Sequence, residues 1–490
     1  GNRAAPPTPP SRSWRCVAPW PKYRLASTRV ADDGLRGSYN PRVDTPTRTA
    51  RAASAGLLVL AGALVLSRYG VERLVEVPAT LARPAAWIVV LTLACWGAGE
   101  WVWRRWLPDD GWTLSTTVIA LGAGAGALAA IAGVLALLHI LYPAPLLVVL
   151  TLLACRGGLG LYRLRPIPPP RRPGWGWALF LAVAAVTMVS ASALSPFYDQ
   201  WNYHLGMPYQ WLRAGTVEVF PRHVFSFFPS TMGLISAYGL AGPGGWAGQM
   251  CTWWITGLAC VGAAAVARQL TTSPFVGVLT ATILATTPAV FEPATVASSD
   301  LGVAAFGTVA WLVLIELRHG RLSARVAAPA AGAFAGLAAG CKYLGLANIV
   351  IPVGLLLMVV LWRGERRTGA VAAGSLAFAI GAAATFGPWA ARNWVATGNP
   401  MYPFLSGILP SPIVDGVPFT PGLAETSMDF GFTASRLVEV ATLGTFTPQG
   451  WAGDIGPVYL WLLAPWILWQ VTIARGRSPS FLVFAGFLVG

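Results

Sequence analysis

Apolar residues in this chain fall in repeated runs of about 17–25 residues, the length a helix needs to cross roughly 30 Å of hydrocarbon. Candidate spans are 53–67, 85–104, 115–139, 140–155, 174–194, 243–267, 274–291, 300–317, 327–345, 347–362, 368–388, 457–473 and 480 onward. The first and fourth are short. Many are rich in Gly and Ala, as membrane helices that pack closely often are. The pattern predicts an all-α membrane protein with about 12–13 transmembrane helices. A shorter apolar run over 224–240, interrupted by Pro229, predicts a helix lying at the interface or partly re-entering.

Composition agrees with the pattern. Of the 490 residues, 55% are hydrophobic and 11% charged, against roughly 25% charged in soluble domains. The 23 Trp suit interfacial belts. The net charge of +15 raises nucleic acid as a partner, but the arginines sit in short loops between apolar runs, where they orient a membrane protein. Nucleic acid is therefore set aside. Arg156, Arg163, Arg165, Arg171 and Arg172 crowd one loop, and Arg318, Arg321 and Arg325 another. Arg363, Arg366 and Arg367 form a third, Arg475 and Arg477 a fourth. With the spans above, all four fall on one side, which the charge bias makes cytoplasmic. An inner-membrane, multi-pass protein is expected. The six cysteines fit neither a disulfide framework nor a zinc site.

The expected organisation is a disordered basic tail over 1–52, a block of about four helices over 53–163, a Pro/Arg linker over 164–173, and a main membrane region over 174–490. The main region carries long loops at 195–242 and 391–456 on the side opposite the arginines. The chain begins without Met and stops inside an apolar run, so it reads as a piece of a longer protein.

Those outer segments hold the candidate chemistry. Asp199, in PFYDQWNYH with Tyr203 and His204, follows a helix exit; partial desolvation there favours a raised pKa and suits a general base. An ordinary loop carboxylate is the plainer reading. Asp300, after Ser298 and Ser299, is either a second acid or simply part of a helix start. Glu292 lies just before it and is a candidate substrate contact. Asp199, His204 and Glu292, or His223, would be the ligands if a divalent metal were used, although the spacing matches no known pattern. Lys342 is one of only two lysines beside 32 arginines and falls near the outer end of an apolar run. An ammonium in a membrane helix marks either a functional site or a side chain snorkelling to the interface. Arg392, at another outer helix end, suits a phosphate through its guanidinium fork, and Arg222 adds positive charge to the first outer loop. Asn399 and Tyr402, in GNPMYP, form turns that also offer polar contacts. No Walker loop, dinucleotide fingerprint or Gly-x-Ser-x-Gly elbow is present.

From about Gly174 to Phe404 these motifs, in this order, resemble the polytopic glycosyltransferases of the GT-C superfamily, nearest the bacterial branch related to protein mannosyltransferases and lipid A aminoarabinose transferases. The resemblance rests on Asp199-x-x-x-Tyr203-His204 with Pro208–Gly215, Phe228-Pro229, Ser-Ser-Asp300-Leu, Lys342-Tyr-x-Gly345, Pro388-Trp389-x-x-Arg392-Asn393-Trp394 and Gly398-Asn399-Pro400-x-Tyr402-Pro403. It implies a GT-C-like helical bundle and inverting transfer of a hexose or pentose from a polyprenyl-phosphate donor to a protein, lipid or glycan acceptor on the non-cytoplasmic face. By that likeness Asp199 would be base or acceptor-orienting residue, and Lys342 and Arg392 would hold the carrier phosphate. Many relatives carry a second acid directly after the first; here Gln200 follows Asp199, which weakens a metal role for the pair. The block 53–163 has no counterpart in the match. A secondary transporter and a lipid-linked oligosaccharide ligase or polymerase are the rival readings. A transporter would show related halves or an acid at mid-helix depth.

Overall fold

A computed structural model of the chain describes residues 76–104, 112–163, 176–220, 223–271, 273–365, 368–405 and 408–409. The predicted spans 53–67, 457–473 and 480 onward, the tail, the linker and most of the 391–456 loop lie outside them. Among the described residues the fold is helical, with one isolated bridge between Leu141 and Gly215. The helices are α1 (Glu76–Trp103), α2 (Leu114–Leu137), α3 (Pro143–Arg163), α4 (Gly176–Ser192), α5 (Gly206–Ala214), α6 (Thr231–Ala241) and α7 (Gly245–Thr271). There follow α8 (Pro274–Thr286), α9 (Pro288–Ala294), α10 (Asp300–Arg318), α11 (Ala324–Cys341), α12 (Ile351–Glu365) and α13 (Thr368–Thr397).

Eight helices here are long and apolar enough to cross a membrane, or nine if the bent pair α8–α9 counts as one span. The chain is thus an all-α polytopic membrane protein. The bend in that pair is 68° and falls at Thr287-Pro288. The proline removes a helical N–H and pushes Thr287 to extended geometry, ψ 127°. The expected span 174–194 corresponds to the 17 residues of α4.

Close packing rests on small residues. A Cβ built on Gly97 of α1 would lie 2.1 Å from Leu153 O of α3, and one on Gly124 of α2 only 1.8 Å from Cys95 O. On the other flank, a Cβ on Gly332 of α11 would lie 2.0 Å from Phe378 O of α13. Backbones therefore touch where lipid gives helices no hydrophobic reason to associate. The first three helices are docked onto the rest by polar contacts as well. Trp254 Nε1 of α7 donates to Thr92 Oγ1 of α1 at 2.9 Å, and Tyr238 OH donates to Leu128 O of α2 at 3.0 Å.

Two expectations change. The 224–240 run, expected as one helix lying at the interface or partly re-entering, is divided and buried within the bundle. It is a 3-10 turn over Val224–Phe227, a break at Phe228-Pro229 and then α6, whose residues from Thr231 to Gly239 are all buried. Its Gly, Ala and Ser residues let neighbours close around it. The outer loop expected from 391 begins later, because α13 continues through Pro388 to Thr397. Buried Trp389 and Asn393 hold its last turns, and Gly398 ends it with φ 74° and an N–H···O bond to Trp394 of 2.7 Å.

The bundle has two chemically different ends. At one, Arg321 bonds Glu316 of α10 and Gln269 of α7, while Gln269 also reaches Ser115 of α2 at 2.9 Å. The ion pair Arg156–Glu100 joins α3 to α1, also beside the arginine-bearing loops. The opposite end carries the exit of α4, the starts of α6 and α10, and the ends of α11 and α13.

Replacing Gly332 by Leu should lower thermal stability in detergent by at least about 1–3 kcal/mol, because the backbone of α13 blocks the new side chain. Gly364→Leu, which meets open space, should be neutral. Equal melting of the two variants would contradict the packing argument.

Candidate active site

The α4 exit is folded back tightly. Ser195 O accepts from Gln200 Nε2 at 3.1 Å and from Trp201 Nε1 at 2.8 Å. The result is a π-turn over Gln200–His204 with half-buried Asp199 at its start. Tyr203 OH donates to Asp199 Oδ2 at 3.0 Å. The Tyr203 ring stacks on Phe225, centroids 4.5 Å apart, and lies 4.2 Å from the His204 ring. Burial, then the Asp199 charge, push the Tyr203 hydroxyl well above its usual range, so it remains a donor. Burial also pushes the His204 imidazole down to about 4. The Asp300 charge opposes that shift and the Lys342 charge adds to it. His223 is linked to the same turn, its Nε2 lying 2.6 Å from Asn202 Oδ1.

Asp300 is the first residue of α10, with Ser298 Oγ accepting its N–H at 3.2 Å. The expected helix start is confirmed, yet the carboxylate does more than end a helix. Asp300 Oδ1 takes Lys342 Nζ at 2.6 Å, both side chains about half exposed, 54% and 43%. Lys342 therefore does not sit within a helix. It follows the last residue of α11 in extended backbone, φ −159° and ψ 141°, ahead of the π-turn over Leu346–Val350.

Arg392 is held more tightly. Its Nη2 donates to Phe228 O at 3.3 Å and to Asn393 Oδ1 at 3.0 Å, and its guanidinium lies 4.9 Å over the Trp389 ring. Its Nη1 is buried and has no hydrogen-bond partner. Asn393, fully buried, donates to Phe227 O at 2.7 Å and to Tyr343 OH at 2.7 Å. Tyr343 OH in turn donates to Tyr402 O at 3.1 Å. Burial raises the Tyr343 hydroxyl to about 12, which keeps it protonated.

The expected site residues thus divide. Asp199, Tyr203 and His204 share one turn, Asp300 pairs with Lys342, and Arg392 bonds Phe228 O, all at the same end of the bundle. Asn399 and Tyr402 are buried instead. Asn399 builds the turn after α13, accepting Met401 N–H at 2.9 Å and donating to Phe404 O at 2.8 Å, while Tyr402 packs its ring 4.6 Å from Phe227. Glu292 is exposed on α9. Arg222 lies outside the described residues. Among the described residues no group of three His, Cys, Asp or Glu side chains could hold a metal ion, and Asp199, His204 and Glu292 form no such group. Four supporting residues went unnoticed as such in the sequence: Gln200, Gln249, Tyr343 and Asn393. Gln249, a lone amide inside the apolar run 243–267, was the detectable signal.

Residues 241–379 match the family described as dolichyl-phosphate-mannose-protein mannosyltransferase. The matched stretch runs from the end of α6 into α13 and includes Asp300 and Lys342, while Asp199 and Arg392 fall outside it. No curated protein and no solved structure matches the chain. The family match supports a membrane glycosyltransferase that uses a lipid-linked sugar.

The folded state holds His204 neutral. That contribution to stability is complete above about pH 6.5 and is lost as pH falls toward about 4. Wild-type protein should therefore lose more thermal stability between pH 7 and 4.5 than His204→Gln does. Equal losses would contradict the burial of a neutral ring.

Proposed function

We propose that this protein transfers a sugar, by inversion, from a polyprenyl-phosphate donor to an acceptor hydroxyl on the non-cytoplasmic face of the membrane. The observation that carries the reading is the gathering of Asp199, His204, Asp300 and Lys342 at the end of the bundle that also holds Arg392. Glycosyl transfer needs a base near the acceptor and positive charge near the departing phosphate. In this reading the acceptor oxygen bonds the anomeric carbon as the bond from that carbon to the phosphate oxygen breaks. The acceptor proton passes to Asp199, which Tyr203 orients, and polyprenyl phosphate departs. Arg392 supplies positive charge to that phosphate, its buried and unpartnered Nη1 meeting it once the side chains around it part, and Lys342 exchanges Asp300 for it. Asp300 then keeps the lysine placed when the donor is absent.

An apolar crevice of about 280 Å³ lined by Thr92, Leu121, Phe180, Thr187 and Trp253 would take part of the carrier's isoprenoid chain. Trp253 of this lining follows Thr252 in α7, whose hydroxyl donates to Ser298 O at 3.4 Å, two residues before Asp300. Transport is the weaker alternative. Among the described residues, Glu100, Asp300 and Glu316 of the membrane-crossing helices lie near helix ends, whereas transporters place ionisable residues near the midplane. A ligase or polymerase would rely on outer arginines more than on Asp199.

With polyprenyl-phosphate mannose as donor, Asp199→Asn should reduce transfer by about 100-fold or more while the protein still purifies as a folded species. Near-normal transfer would refute the assignment. Orientation has its own check: a cysteine at exposed Tyr198 should react in whole cells with a membrane-impermeant maleimide. Labelling only after lysis would place the site on the cytoplasmic face.

A further inference from the structure

Two buried glutamines stand between the acid-bearing segments. Gln249 of α7 is 0% exposed. Its Nε2 donates to Ala191 O, Ala193 O and Thr295 O, each at 2.8 Å, and its Oε1 accepts Ser195 N–H at 3.1 Å. Gln200 is also 0% exposed. Its Nε2 donates to Ser195 O at 3.1 Å, and its Oε1 accepts Ala297 N–H at 2.7 Å. Each amide therefore bonds both the α4 exit, which leads to Asp199, and the 295–297 segment, which leads to Asp300. One side chain must present a donor and an acceptor at once. A primary amide does so; an ionised carboxylate lacks the donor, and an apolar chain lacks both. Neither amide reaches Asp199, Asp300 or Lys342 directly in any of these bonds.

We infer that Gln200 and Gln249 are positioning residues that fix the spacing between Asp199 and the Asp300–Lys342 pair. Removing either leaves backbone groups unpaired in a buried place, and the two segments then drift independently. Sugar transfer depends on that spacing because small misplacements of reacting groups cost large factors in rate. This inference rests on the glycosyl-transfer reading for its rate consequence, and on geometry alone for the spacing.

The test measures both, in the full chain. With Cys16 and Cys155 replaced by Ser, spin labels at Tyr198→Cys and Glu292→Cys report the distance between the segments. Gln200→Met and Gln249→Met should broaden a narrow wild-type distribution. Gln200→Glu, which keeps an acceptor for Ala297 N–H but loses the donor to Ser195 O, should broaden it as well. In unlabelled protein supplied with polyprenyl-phosphate mannose, the Met variants should lower kcat by about tenfold or more with KM within about twofold. If Gln249→Met does not fold, Gln200→Met carries the comparison. A wild-type-like narrow distribution in Gln200→Met would overturn the inference. An inert wild type with broadened Met variants would sink the glycosyl-transfer reading and leave the clamp standing.

Discussion

Hydrocarbon offers no partner to an unpaired amide or charge, and that constraint decides where every polar side chain of this bundle stands. Charges are driven to the two ends, where they pair. At one end Glu100 and Glu316 meet arginines; at the other Asp300 meets Lys342. Buried polar groups between them are neutral and nearly saturated, as with Gln200, Gln249 and Asn393. Among the described residues, buried atoms without a partner include the ring N–H groups of Trp87, Trp96 and Trp103 and, at the end that carries Asp300, one nitrogen of Arg392. Arg392 is fixed by Phe228 O, Asn393 and the Trp389 face, yet Nη1 is left buried and unpartnered. Such a group costs folding free energy.

From that placement the chemistry follows in steps. The fold-back after α4 presents Asp199 beside Tyr203, whose burial keeps its proton in place for donation. The break between α11 and α12 frees Lys342 from a helix and lets it reach across to the first residue of α10. The last turns of α13 carry Arg392 to the same end because Gly398, not Pro388, closes that helix. The match of residues 241–379 to a mannosyltransferase family falls on the α7–α13 part of this arrangement. The candidate base and the arginine come from segments on either side of it.

Much of the membrane architecture was legible because a hydrocarbon span imposes one length and one composition. The runs 243–267, 300–317 and 368–388 find α7, α10 and α13. The start of α10 at Asp300 was legible too, from the serines before it. What pattern could not supply was partnership. Lys342 read as a phosphate ligand with no partner of its own, since nothing in its neighbourhood along the chain announces Asp300, 42 residues away. Asn399 and Tyr402 read as substrate contacts as well as turn formers, because a turn motif looks the same whether its side chains face a ligand or build the turn. Gln200 read as a missing acid; its burial shows a neutral residue required by two backbone groups. Pro388 read as a helix end, although packing of α13 on α11 sustains the helix through it.

The central claim is that the cationic groups at this end receive a lipid-borne phosphate. It is tested most directly by determining the structure of the full chain with polyprenyl phosphate bound in lipid nanodiscs. The account predicts phosphate oxygens within about 3.2 Å of Arg392 Nη1, with Lys342 Nζ turned from Asp300 toward them. A phosphate bound at the arginine-rich opposite end, with Arg392 and the Lys342–Asp300 pair unchanged, would contradict it.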